Sequence, residues 1–361
     1  MQEASVEKAK FTKYQIFIIV VLAVLQFSVV LDFMILSPLG YILMPELKID
    51  TAQFGWVVSA YAFSAFASGL LAAGFADKFD RKKLLLFFYA GFIGGTLLCG
   101  IADTYSFLLF ARVVTGLFGG VIASIVMSIV TDMFQLQVRG RVMGLIQMAF
   151  AASQVLGIPA GLFLAGRWNW HFPFIMIVVI SALLFAVLAF YLKPIDEHLK
   201  IKTDKNAFMH LLHVVSRTRY LKAFAATTLL ATGGYMLMPF GSDYAVHNLG
   251  LDEKNELPLL YLYTGVATIF VMPLAGFLSD KVGKYKVFFV GSVLSIGMLL
   301  IYCNLDVTPF VWIVVLNIVL FIGIMSRIAP AQALMSAIPE PQDRGAFMSV
   351  NSSIQQLSGG I

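Results

Sequence analysis

The sequence predicts an all-α polytopic membrane protein of two six-helix halves related by a pseudo-two-fold, the second half incomplete in this chain. Three observations predict it. Of 361 residues, 60% are hydrophobic and only 12% charged, about half the charge of an ordinary soluble domain. Seven long runs contain no Asp, Glu, Lys or Arg, and each is near or above the ~18–20 residues that cross a ~30 Å hydrocarbon core as a helix. Several landmarks also recur at an offset of about 204 residues. The first two observations exclude a soluble enzyme, a DNA-binding module and a disordered chain. Continuous apolar runs also exclude barrel strands, which alternate over about ten residues.

Taken in order, span 1 is Tyr14–Met44 and contains Asp32. Span 2 (Thr51–Ala76) and span 3 (Leu84–Ala102) are free of charge, and span 4 (Thr104–Met133) contains Arg112 with Asp132 at its end. Spans 5 to 9 are the uncharged runs Val142–Gly166, Trp168–Leu192, Ala223–Ser242, Leu257–Ser279 and Val287–Leu305. Span 10 (Val307–Ile338) contains Arg327, and span 11 opens at Gly345 and runs to Ile361. The expectation is ten complete spans and an eleventh begun.

A pI of 9.1 and a net charge of +5 reflect topology and point to no nucleic-acid partner. With the N-terminus in the cytoplasm, inner segments carry 20 Lys and Arg and outer loops only Lys48, Arg167 and Lys254. That is the positive-inside bias of the bacterial cytoplasmic membrane. The N-terminus lacks a short apolar stretch with a small-residue cleavage site, so span 1 reads as an uncleaved signal anchor. Cys99 and Cys303 imply no disulfide framework. His210 and His213 lie three apart in a basic segment and read as a solvated face. No metal site and no cofactor is expected.

The repeat organises the chain. Asp77-Lys78-Phe79-Asp80-Arg81-Lys82-Lys83 after span 2 matches Asp280-Lys281-Val282-Gly283-Lys284-Tyr285-Lys286 after span 8. Arg139-Gly140 matches Arg344-Gly345, and Cys99 matches Cys303. The domains are therefore residues 1–192, a charged cytoplasmic linker 193–222, of which Phe208–Val215 is apolar enough to lie along the membrane surface, and residues 223–361. Parallel six-span halves are a transporter architecture with a substrate path between them near the midplane. The counterpart of Leu192 falls about 35 residues beyond Ile361. The rest of span 11 and span 12 are thus expected to be missing, and the chain is expected not to be the complete transporter.

The few intramembrane charges carry the chemistry. Asp32 lies roughly 27 Å from the inner end and 18 Å from the outer end of its span at 1.5 Å per residue. Burial favours a protonated carboxyl and a nearby cation favours the ionised form, so a carboxyl between these influences can load and release a proton. Arg112 lies within about one turn of the same depth, which makes a pair possible; bonds to backbone carbonyls are its alternative. The repeat places Met236 opposite Asp32 and Asn317 opposite Arg112. The second half therefore builds the same fold without either charge, so architecture does not require them. Arg327, Asp243, Asn317 and Met236 are candidates for the substrate path, with a structural role for Arg327 equally open. Asp77, Arg81, Lys82, Asp280 and Lys284 form weak exposed pairs, worth ~0.2–1 kcal/mol, that suit a cytoplasmic gate. Gly157, Pro159 and Gly161 in span 5 predict close packing and a bend.

At these residues the chain resembles the major facilitator superfamily. Ala73-Gly74-Phe75-Ala76-Asp77-Lys78-Phe79-Asp80-Arg81-Lys82 is similar to its loop motif between spans 2 and 3, with Ala73 and Asp80 at the two glycine positions. Gly276–Lys284 is a second copy that keeps both glycines. Arg112-Val113-Val114-Thr115-Gly116, Gly157-Ile158-Pro159-Ala160-Gly161 and Trp168-Asn169-Trp170-His171-Phe172 are similar to further family elements in spans 4, 5 and 6. Ser326–Ala331 and Arg344–Ser353 resemble the branch with sugar-efflux and drug:proton antiporters. The resemblance implies that spans 1, 4, 7 and 10 line the central path.

The reading is a monomeric, proton-coupled secondary transporter of the inner membrane, exporting a small organic molecule by alternating access. Proton-coupled uptake or facilitated diffusion on the same fold is the alternative. An enzyme or channel would need an intramembrane Ser-His, His-Asp or metal cluster, or rings of polar pore residues, and the sequence offers none.

Overall fold

The computed structural model describes residues 11–73, 79–135, 142–143, 145–146, 148–150, 152–196, 199, 213–236, 238–336, 338–340 and 343–359. No strand occurs among them. The helices are α1 (Lys13–Ile35), α2 (Gly40–Leu47), α3 (Thr51–Ala73), α4 (Arg81–Gly100), α5 (Tyr105–Met133), α6 (Ile158–Arg167) and α7 (His171–Tyr191), followed by α8 (Thr218–Tyr235), α9 (Gly241–His247), α10 (Glu256–Val282), α11 (Lys284–Tyr302), α12 (Phe310–Ser336) and α13 (Arg344–Ser358). A π-turn, Ser153–Gly157, leads into α6. Polar residues start several helices by satisfying first-turn N–H groups. Thr12 and Gln15 form a reciprocal capping box on α1, Asp50 and Gln53 exchange bonds at α3, and the Asp80 carboxylate accepts from Lys82 N and Lys83 N on α4.

α4 and α5 run antiparallel, with Gly91 beside Phe118 and Gly95 beside Thr115, whereas α3 and α5 run parallel, with Gly116 beside Tyr61 and Gly120 beside Ala65. The starts of α1 and α4 meet the segment after α7, through Lys193 N donating to Tyr14 Oη and Arg81 N donating to Ile195 O. The start of α8 meets the loop after α12 through Arg217 and Glu340. This is called the basic end here, and the opposite one the far end. α5 packs on α3 and α4, α4 on α7, and α1 on α7 and the π-turn. α12 repeats the arrangement with α10 and α11. Among the described residues the N-terminal and C-terminal helices meet where α3 packs on α13, where the π-turn and α6 pack on α10, and where α2 touches α9.

Nine helices among the described residues are long and apolar enough to cross a membrane. They correspond to spans 1 to 6 and 8 to 10, so span 7 is the difference from the expected ten. Its helix α8 begins on Thr218, so residues assigned to the linker form its first turn, and it stops at Tyr235. A short 3₁₀ turn, Met238–Phe240, and α9 complete the span. Span 1 breaks in the same way, between α1 and α2. Both breaks hold a proline, Pro38 and Pro239, which lacks an N–H and clashes with the carbonyl four residues back. Hydropathy does not register this. The two breaks meet at the far end, where Ser242 Oγ donates to Ser37 O at 3.0 Å with both residues buried.

Small residues set the helix spacing. A side chain at Gly116 would strike Ser64 Oγ and Tyr61 O, and one at Gly120 would lie 2.5 Å from Ala65 Cα. These contacts bring α5 onto α3 at backbone distance, which is how apolar packing replaces hydrophobic driving force inside a bilayer. Gly94 has nothing within 4 Å of such a position. Gly120→Val is therefore expected to cost about 1–3 kcal/mol through overpacking and lower the thermal midpoint of the purified protein, with Gly94→Ala near wild type. Equal midpoints for the two variants would contradict this packing.

Candidate functional site

Asp32 sits in the last turns of α1, and its position on the helix face directs it at α4 and α5. Arg112 Nη1 donates to Asp32 Oδ2 at 2.9 Å, and Thr96 Oγ1 donates to Asp32 Oδ1 at 3.0 Å. Both ionic residues are enclosed, with Asp32 at 0% and Arg112 at 1% exposure. The guanidinium lies over the Tyr61 ring, 4.6 Å from its centroid, an arrangement in which the ring face offsets part of the lost hydration. Thr115 Oγ1 bonds back to Ala111 O and lies 3.7 Å from Cys99 Sγ beside the pair. The helices meet closely here: a Cβ on Gly95 would lie 2.7 Å from Thr115 Cα. Arg112 Nε has no hydrogen-bond partner among the described residues.

Such a pair is poised for change. Separating two buried charges leaves each uncompensated, and loss of one partner costs about 3–5 kcal/mol. The carboxylate has one charged partner and one neutral donor, so moving Arg112 leaves Thr96 alone to satisfy it.

Span 5 supports this geometry. Pro159 cannot donate to the carbonyl four residues back, and the chain widens into the π-turn Ser153–Gly157 immediately before it. A Cβ at Gly157 would lie 2.5 Å from Leu31 Cδ1, and one at Gly161 would lie 2.5 Å from Ile35 Cδ1. The Gly157, Pro159, Gly161 segment thus seats span 5 directly against the turns of α1 on either side of Asp32.

The other sequence-derived residues lie elsewhere. Asn317 Nδ2 donates to Thr264 Oγ1 at 2.9 Å, linking α12 to α10 as Arg112 and Tyr61 link α5 to α3. Met236 is 70% exposed at the break after α8. Asp243 is at the far end, 3.0 Å from His247 Nδ1. Arg327 is half-buried in α12, and its Nε has no hydrogen-bond partner among the described residues. Asp77 lies outside the described residues. Asp280 is in the last turn of α10 and Lys284 opens α11. Arg81 Nε bonds Asp132 Oδ2 at 3.0 Å, and Lys82 Nζ donates to Ala189 O at 2.9 Å. Both therefore tie α4 to other N-terminal helices.

Sequence reading missed a second polar cluster, at the basic end. Arg217 Nη1 contacts Glu340 Oε1 at 2.8 Å and Asp343 Oδ2 at 3.2 Å, and Tyr220 Oη donates to the buried Asp343 at 2.8 Å. It joins α8 to the loop before α13, with Phe347 stacked on Phe224 beside it. The partners are over 120 residues apart, and the Lys and Arg of that segment were counted only as topology signals. The roles of Thr96 and Tyr61 were also missed, since neither stands out within its apolar run.

The family model described as Major Facilitator Superfamily matches residues 22–361. The uncharacterized MFS-type transporter YceJ of Bacillus subtilis is 26% identical over 89% of this chain and 81% of its own length. Multidrug resistance protein 3 of the same organism is 33% identical over 42% of this chain and 30% of its own length. Among solved structures, an inward-facing bacterial homolog of the human lysosomal transporter Spinster superposes with a TM-score of 0.79 at 17% identity. That match covers 97% of this chain and 81% of the other.

The ion pair gives a direct stability test. Arg112→Ala is expected to destabilise the protein by about 3–5 kcal/mol, because it strands a buried carboxylate. Adding Asp32→Asn is expected to recover part of that loss. Thermal unfolding in detergent checks it, and additive losses in the double variant would contradict the pairing.

Proposed function

The chain belongs to the major facilitator superfamily, and from that premise we propose that it is a proton-coupled antiporter exporting a small organic molecule. The observation that carries this reading is the enclosed Asp32–Arg112 pair. Ionisable residues inside a membrane are costly to retain and mark ion or substrate pathways. While Arg112 is alongside, its charge is the carboxylate's ionic partner. When the helices shift and the pair opens, the isolated carboxylate takes a proton, and the returning guanidinium expels it. The relatives bearing multidrug-resistance and efflux names support export.

The protein consists of two halves joined by the segment 193–222 and works by alternating access as a monomer. The lysine- and arginine-rich basic end faces the cytoplasm of a bacterial cell, with the N-terminus inside. The far-end contacts Ser242–Ser37 and Tyr41 Oη to Glu253 O fit a state closed on the outer side. Arg81, Lys82 and Lys284, with Asp77 and Asp280, belong to the cytoplasmic gate, and Arg327 and Met236 to the path.

Asp32→Asn is expected to abolish proton-driven exchange in proteoliposomes while leaving the far-ultraviolet circular dichroism and the elution profile unchanged. Substrate-induced proton release measured on both proteins checks this. Undiminished release in the variant would remove Asp32 from the mechanism.

A further inference from the structure

The π-turn presents a polar group that the ion pair does not use. Ser153 Oγ donates to Phe27 O on α1 at 3.2 Å, and Gly157 seats on Leu31 of the same helix. Val155 lies against α10, where a Cβ at Gly265 would fall 2.9 Å from Val155 Cγ2. Leu156 is 64% exposed and faces outward. Successive helical residues turn by about 100°, so Gln154 stands roughly opposite Leu156, between the α1-facing and the α10-facing residues. Its side chain is directed into the seam between the N-terminal and C-terminal helices.

Gln154 is only 8% exposed, and its Oε1 has no hydrogen-bond partner among the described residues. Buried side-chain oxygens nearly always have one, and leaving one bare lowers stability. An apolar residue would pack there at no such cost. Single π-turns of this kind are frequent at functional sites.

We propose that Gln154 is a substrate-recognition residue, whose carboxamide takes an O–H or N–H of the transported molecule in the seam between α1 and α10. The amide offers an acceptor oxygen and N–H donors, and a hydroxyl or secondary amide matches both. The substrate class is therefore neutral organic molecules bearing hydroxyl or amide groups. A site built around such a bond discriminates strongly against analogues that lack it. The assignment rests on the transport function proposed above and adds the substrate chemistry to it.

The test uses the full chain in detergent and its Gln154→Met variant, which keeps the side-chain length and removes the amide. Without ligand, the variant is expected to unfold at a higher temperature than wild type. Phenyl glucoside serves as a hydroxyl-bearing probe, and tetraphenylphosphonium as one with neither O–H nor N–H. The variant is expected to lose about fivefold to tenfold in affinity for phenyl glucoside, the worth of one hydrogen bond, and none for tetraphenylphosphonium. A lowered unfolding temperature would show that the amide has a structural partner and overturn the assignment. Unchanged affinity for phenyl glucoside overturns it too, and a wild type that fails to bind this probe overturns the substrate class. Amide-dependent binding without proton release supports the Gln154 assignment and contradicts only the proton coupling.

Discussion

One contact ties the N-terminal helices together at the candidate site, the ion pair of Asp32 and Arg112 buried within the bundle. Two charges in hydrocarbon persist only if each finds the other and the remaining polar atoms are served. α4 supplies Thr96 to the carboxylate and α3 supplies the Tyr61 ring to the guanidinium. α1, α3, α4 and α5 must therefore converge at one level. The close approaches at Gly95 and Gly116 let them do so. Substituting a side chain there would push α5 off the helices that hold its arginine.

The C-terminal helices solve the same packing problem without the charges. Asn317 and Thr264 stand where Arg112 and Tyr61 stand in the first set, joined by a neutral hydrogen bond. A neutral bond does not bind or release a proton at ordinary pH, so on this reading coupling is confined to one half and the other contributes shape. The two sets share another device, a proline-broken first helix. The breaks meet through Ser37 and Ser242, so a backbone carbonyl in one set is satisfied by the other. Beside it Tyr41 Oη donates to Glu253 O and the Phe54 ring meets Phe240, so polar and apolar contacts together join the far ends.

Much of this was legible in the sequence, for physical reasons. Charge is so costly in a membrane that Asp32 and Arg112 stood out at once, and counting helical rise put them at one depth. The repeat offset paired Asn317 with Arg112, and Asn317 bonds Thr264 as Arg112 meets Tyr61, whereas Met236, paired with Asp32, is exposed beyond the end of α8. Pro159 with its flanking glycines predicted a bend, although only the structure gives it as a π-turn. Other features were illegible because hydropathy reads charge and ignores hydrogen bonding. It passed over Pro38 and Pro239, which break spans 1 and 7, and Gln154, an uncharged amide in an apolar run. Arg217 reads in the sequence only as a topology signal and Arg81 only as a gate residue, because their partners, Asp343 and Asp132, lie far away in the chain.

On this reading Arg112 and a transported proton take turns at the Asp32 carboxyl. Infrared difference spectroscopy of the reconstituted protein addresses it most directly, through the carbonyl stretch of a protonated carboxyl. Driving the protein through substrate exchange should make that band appear and vanish with the transported proton, and Asp32→Asn should abolish it. A band that persists in the variant, or its absence from the wild type during proton-coupled exchange, would place the proton elsewhere.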